Sequence, residues 1–84
     1  MSSIRFEGVW FESFPNDHTP SHVHGAYAEV VDVVDLLPDG GVQVADRVNA
    51  IKPRNASRSD VKHVLSVATK HFEELVALWE KHHG

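Results

Sequence analysis

The C-terminal part of the chain carries an apolar stripe at helical spacing, which constrains the fold more than any other feature. Apolar residues spaced three and four apart lie on one face of a helix. The stripe consists of Val61, Val64, Leu65, Ala68, Phe72, Leu75, Val76 and Trp79. We predict one long helix over about residues 58–82, capped by Ser57 or Ser59 with Asp60 in the first turn. Such a face must be buried against a second layer.

Strand signals fill the chain before this helix. Residues 4–14 alternate between apolar and polar side chains and predict a half-buried strand, with Ile4, Phe6, Trp10 and Phe14 on one side. Gly8 would be a bulge or a point of close approach. Residues 22–37 are rich in valine and predict a long strand or two strands joined by a bend, and residues 42–48 return after a turn. The sequence therefore predicts an α+β fold: a small antiparallel three- to four-stranded β-sheet (a meander), with its strands within residues 4–51, followed by one long C-terminal amphipathic helix packed on one face.

The length of 84 residues allows one hydrophobic core, so we assign residues 1–84 to a single domain. The chain has no cysteine, which excludes a disulfide framework, a thiolate nucleophile and a cysteine-based zinc site. It has neither an apolar run of about 20 residues nor a signal-peptide pattern, so we expect a cytoplasmic protein that does not enter membranes. A small core without covalent or metal cross-links favours burial against a partner or a second copy.

The charge of the chain argues against a broad nucleic-acid surface, because the net charge is −4. A local exception is a basic cluster, which consists of Arg47, Lys52, Arg54, Arg58 and Lys62. These residues could contact a small anion or RNA, or they could be a solvated loop and helix start. The sequence does not decide between these interpretations.

Seven histidines are many for so short a chain, and three of them lie within residues 18–24. On a strand, His22 and His24 project from the same face, with Cα atoms about 6.5–7 Å apart. His18 in the preceding turn can fold back towards them, and Asp17 can orient an imidazole ring. The spacing therefore predicts a histidine cluster at the entry to a strand.

Three chemical roles fit this cluster. His18, His22 and His24 could bind a transition metal such as zinc. Two imidazoles could act as general acid and general base in metal-independent RNA cleavage, with Arg54 or Arg58 holding the phosphate. The rings could also fix the turn by hydrogen bonds without any reaction.

A shoulder of residues beside the helical stripe is the other candidate site. Val67, His71 and Leu78 lie next to the stripe when the chain is plotted at about 100° per residue. This shoulder could pack on a loop or a sheet edge, or it could bind a partner or a second copy of the chain.

One segment resembles a known family. The bacterial domain-of-unknown-function 4160 family has the hallmark Asp-His-x-Pro-Pro-His-x-His. Its counterpart in this chain is Asp17-His18-Thr19-Pro20-Ser21-His22-Val23-His24, followed by Tyr27, Ala28 and Glu29. The chain end is similar to that family's helical end, through His71-Phe72-Glu73-Glu74-Leu75 and Trp79. Ser21 replaces the second proline, and Gly25 stands where an apolar strand residue is commoner.

The resemblance implies a small bacterial or phage-borne protein, of a kind often encoded beside a second small protein in a layout typical of toxin–antitoxin modules. It makes Asp17, His18, His22 and His24 the site candidates and supplies no reaction. We expect a protein-interaction module of toxin–antitoxin or inhibitor type, which binds an operon neighbour, a host protein or a second copy and requires no cofactor. The alternatives are a histidine-based RNase-like toxin, which alone would contact RNA, and a metal-binding domain.

Overall fold

The computed structural model describes residues 2–15 and 19–83, so Asp17 and His18 lie outside the described residues. Within these residues the chain forms six strands followed by two helices. The strands are β1 (Ser2–Phe6), β2 (Val9–Ser13), β3 (His22–Tyr27), β4 (Val30–Leu36), β5 (Val42–Val44) and β6 (Ile51–Lys52), and the helices are α1 (Arg58–Lys70) and α2 (Phe72–His83).

The strands form one antiparallel sheet in the order β1-β2-β3-β4-β5, and β6 pairs with β4. The α+β class with C-terminal helices is confirmed, but the predicted three to four strands were too few. Residues 4–14 form a hairpin because Glu7 and Gly8 turn the chain, with φ values of 50° and 83°. Glycine adopts such positive φ angles without steric strain. Ala28, with a φ of 53°, lies in the turn between β3 and β4.

The predicted single long helix is two helices, interrupted at His71. This residue ends α1 with φ −113° and ψ 31°, and α2 begins at Phe72. The His71 ring stacks on Phe6 of β1, with ring centroids 3.8 Å apart and planes within 2° of parallel. Its Nε2 lies 3.3 Å from a carboxylate oxygen of Glu7. The break therefore coincides with a contact to the first hairpin, and neither glycine nor proline marks it in the sequence.

The predicted side-chain cap of α1 is also absent. Ser57 occupies the cap position but makes no capping hydrogen bond. Its Oγ instead lies 2.8 Å from the Oγ of Ser59. The helix is therefore held in place mainly by packing of its apolar face.

Both helices pack on the same face of the sheet, α1 against β3, β4 and β5 and α2 mainly against β1 and β2. Between these layers lies the core, which consists of Val9, Phe11, Val23, Val34, Leu36, Val64, Val67, Ala68, Leu75, Leu78 and Trp79. Two shoulder residues belong to it, since Val67 and Leu78 are only 3% and 2% exposed. Both residues therefore lie inside the folded chain. Of the three shoulder residues that were expected to contact a partner, only His71 is partly exposed. Neither described helix is long and apolar enough to cross a membrane.

Candidate functional site: the open face of the sheet

The face of the sheet opposite the helices, here called the open face, carries a row of side chains across five strands. Arg5 pairs with Trp10, Trp10 with Ala26, Ala26 with Val31, and Val31 with Lys52. Paired residues lie side by side on one face. Val9 and Phe11, the neighbours of Trp10 in the chain, are buried in the core, so the row faces away from the helices.

The centre of this row is apolar and accessible. Trp10 is 43% exposed and Val31 is 45% exposed, whereas Trp79 on the helix side is 5% exposed. Exposed cations, Arg5 and Lys52, stand at the two ends of the row. Neither forms an ion pair with any residue that the structure describes. An exposed apolar centre between two cations that no described carboxylate neutralises makes this row a candidate docking surface.

His22 lies at the start of β3 and has a structural role. Its side chain is buried, and its Nδ1–H donates a hydrogen bond of 2.9 Å to the carbonyl oxygen of Pro20. The carbonyl can only accept, so this bond places a proton on Nδ1. The ring also contacts the indole of Trp79 in α2, with centroids 5.0 Å apart. His22 therefore ties the turn before β3 to the second helix.

His24 lies nearer to solvent and has different surroundings. Its ring centroid is 5.2 Å from that of His22 and 5.0 Å from that of Phe14. The side chain lines a cleft of about 320 Å³ on the open face, together with Arg47 and Lys52. The structure thus brings the predicted histidine pair together and places one member beside two cationic groups.

The other site candidates lie elsewhere. Arg54 and Arg58 line a separate cleft with Lys62 and do not line the His24 cleft. Among residues 2–15 and 19–83, no three histidine, aspartate or glutamate side chains are placed to hold a metal ion. The third ligand of the metal hypothesis, His18, falls outside that range, as does Asp17.

Two features escaped the sequence interpretation. The alternation placed Trp10 on the same side as Ile4 and Phe6, although the hairpin turn puts it on the opposite face. Recognition of Glu7-Gly8 as a two-residue turn would have revealed this, because such a turn pairs Phe6 with Val9.

The other missed feature is Asp32, a fully buried carboxyl in the middle of β4. It lies beside Gly25 of β3 and Ile51 of β6, and no described group hydrogen-bonds either of its side-chain oxygens. Burial raises the pKa of Asp32 from 3.8 to about 7. The nearby backbone amide of Asp32 itself opposes part of this rise in pKa.

Comparison with known proteins adds one finding to this geometry. No curated protein and no solved structure matches the chain. A family model does match, over residues 9–80, which include the strands of the open face from β2 onwards and most of both helices. The chain belongs to the family described as Domain of unknown function (DUF4160).

Proposed function

We propose that the chain is a small protein-interaction module, of toxin–antitoxin or inhibitor type, that binds a partner protein through the open face. The observation that carries this proposal is the exposed row centred on Trp10, Ala26 and Val31. Tryptophan is among the residues that contribute most to binding energy when a partner buries it. Both described helices pack on the other face of the sheet, and Trp10 and Val31 are 43% and 45% exposed, so the centre of this row is accessible for docking.

The charges at the ends of the row define the partner's chemistry. Arg5 and Lys52 flank the apolar centre, and Arg47 lies across the adjacent cleft. Complementary charges direct association and fix its orientation. We therefore infer a partner segment with apolar side chains at its centre and carboxylates on both flanks. The open face also carries an anion, because Glu12 lies opposite His24 in the register, one row away. The preference for an acidic partner segment therefore comes from the cations at the two ends of the row and not from the face as a whole.

The experiment compares two substitutions in the complex with a partner that co-purifies with the wild-type chain from its native host. Trp10→Ala will weaken binding by about 30-fold or more, because a central aromatic anchor contributes roughly 2 kcal/mol or more. Ser66→Ala, at an exposed position on α1, will leave the affinity unchanged. Isothermal titration calorimetry measures both affinities, and circular dichroism verifies that both variants fold. Equal affinities for the two variants would exclude the open face as the binding surface.

A second comparison tests the charges. The double substitution Arg5→Gln/Lys52→Gln will slow association and flatten its dependence on salt, because steering by exposed charges is screened by ions. Lys81→Gln, at an exposed position on α2, is the matched control and will change neither quantity. Stopped-flow association at low and high salt distinguishes the variants. Light scattering gives the molar mass of the isolated chain in solution. A dimer that buries Trp10 would show that the open face binds a second copy and not a different protein.

A second candidate function is RNA cleavage, and it is favoured by the single cleft that His24 shares with Arg47 and Lys52. His24 would move a proton while the cations hold the phosphate. The mechanism needs a second acid–base group, and His22 is buried with its Nδ1–H bonded to a carbonyl oxygen. This function predicts RNA cleavage that resists EDTA and is lost in His24→Gln. Cleavage that survives in His22→Ala/His24→Ala would exclude it.

A further inference from the structure

A second cleft lies away from the open face, between β6 and the first two turns of α1. We call it the α1 cleft. It has a volume of about 260 Å³ and is lined by Ile51, Arg54, Arg58, Val61, Lys62 and Leu65, together with Ala56. Its location on the helix side of the molecule separates it from the row of Trp10 and Val31.

The cations of the α1 cleft have no carboxylate partner within residues 2–15 and 19–83. Arg58 and Lys62 lie one turn apart on the same side of α1, where like charges destabilise a helix. Arg54 adds a third positive charge from the preceding loop. All three side chains are exposed, and none pairs with a carboxylate of the described residues. The chain has 12 acidic residues and 8 basic ones, so a shortage of carboxylates does not explain this arrangement.

The floor of the α1 cleft is apolar. Ile51, Val61 and Leu65 are each only partly buried and face the same space as the cations. A ligand that satisfied both features would have an anionic group and a small apolar body. Arginine side chains bind both carboxylates and phosphates through two parallel N–H donors. Three cations around one cleft favour the more highly charged phosphate.

We propose that the α1 cleft binds a small phosphomonoester whose organic part presents an apolar face, of about the size of a nucleoside monophosphate. The volume of about 260 Å³ lies just below the range of roughly 300–1,000 Å³ that is usual for small-molecule sites, which suits a ligand of this size. The phosphate contacts Arg54, Arg58 and Lys62, and the body lies over Val61 and Leu65.

The test is a titration of the full ¹⁵N-labelled chain, followed by NMR, with three probes: adenosine monophosphate, inorganic phosphate and adenosine. The monophosphate will bind about tenfold or more tightly than either fragment, because only it uses both the cations and the apolar floor. Its binding will shift the amide signals of Arg58, Lys62 and Leu65. Arg58→Gln will weaken binding by about 10-fold or more, as expected when a charge-assisted hydrogen bond is removed. Lys81→Gln, which removes an exposed cation from α2, is the matched control and will leave the affinity unchanged.

Two further outcomes decide the proposal. Val61→Ala will weaken the binding of the monophosphate but not of inorganic phosphate, because it removes apolar contact area from the floor of the cleft and leaves the cations in place. Equal affinity for monophosphate and inorganic phosphate, no effect of Arg58→Gln, or no binding at millimolar probe would overturn the inference. Partner binding at the open face is measured independently through Trp10, so failure of one proposal is distinguishable from failure of the other.

Discussion

Asp32→Asn will stabilise the folded chain at pH 8 by up to about 4 kcal/mol and will have little effect near pH 4. Burial raises the pKa of the Asp32 carboxyl from 3.8 to about 7 in the folded state. Since one pKa unit corresponds to about 1.4 kcal/mol, ionisation of the buried carboxyl lowers the free energy of unfolding by up to about 4 kcal/mol. Asparagine keeps the shape of the side chain and cannot ionise.

The sign of this pH dependence follows from the protonation states. Below pH 3.8 the carboxyl is protonated in both the folded and the unfolded chain, and it adds no pH dependence. As the pH rises from 3.8 to about 7, the unfolded chain ionises while the folded chain keeps its proton, so stability falls. Above about pH 7 both states are ionised, and the full loss of stability remains.

Urea unfolding of wild type and variant at pH 4, 5.5 and 8 measures the difference in free energy of unfolding. Taking the difference between the two proteins removes contributions from the histidines. Asp35→Asn is the matched control, because Asp35 lies in the same strand at a half-buried position. It will change stability by less than about 0.5 kcal/mol, as is usual for substitutions near the surface. A difference between Asp32→Asn and wild type that stays constant across this pH range would contradict the account of Asp32.

Gly25→Ala will destabilise the chain by about 2 kcal/mol, because there is no room for a methyl group between β3 and α1. A Cβ atom at Gly25 would lie 2.8 Å from Cγ1 of Val64 and 3.3 Å from Oδ1 of Asp32. Val64 is fully buried and its branched side chain cannot move aside. Overpacking of this kind costs roughly 1–3 kcal/mol, which outweighs the gain of about 0.4–1 kcal/mol from a stiffer unfolded chain. Thermal unfolding will show a midpoint lowered by roughly 4–8 °C for each kcal/mol lost.

Val64→Ala tests the origin of this effect. Alone it will destabilise the chain by about 2 kcal/mol, since it leaves a small cavity. In combination with Gly25→Ala it removes the clash, so the double variant will lose at least about 1 kcal/mol less than the sum of the single losses. Additive losses would show that the approach of Val64 to Gly25 is not the cause.

Local patterns in the sequence predicted the layers of the fold but not their connections. The stripe that includes Val64, Leu75 and Trp79 was found because a helical period extends over five turns, and these residues are buried as predicted. The interruption at His71 arises from stacking on Phe6, a contact between residues distant in the chain. No local pattern encodes such a contact, so one helix was predicted where two exist.

The histidine pair of the site was predictable from the sequence, whereas the burial of His22 and the position of Trp10 were not. The spacing of His22 and His24 predicted that their rings would lie together, and their centroids are 5.2 Å apart. Burial of His22 depends on Trp79, which approaches from the far end of the chain. Trp10 was assigned to the wrong side because the two-residue turn at Glu7-Gly8 changes which face each later residue occupies. The side of a residue on a sheet therefore depends on the turns that precede it.

The two tryptophans allow the most direct test of the open face as a docking surface. In an NMR titration with the co-purified partner, the indole N–H signal of Trp10, 43% exposed, will shift or broaden as the complex forms. The signal of Trp79, 5% exposed on the side of α2 that packs on the sheet, will stay in place and serves as the control within the same molecule. Trp10→Phe assigns the two signals. A complex that forms while the Trp10 signal remains unchanged would contradict docking on the open face.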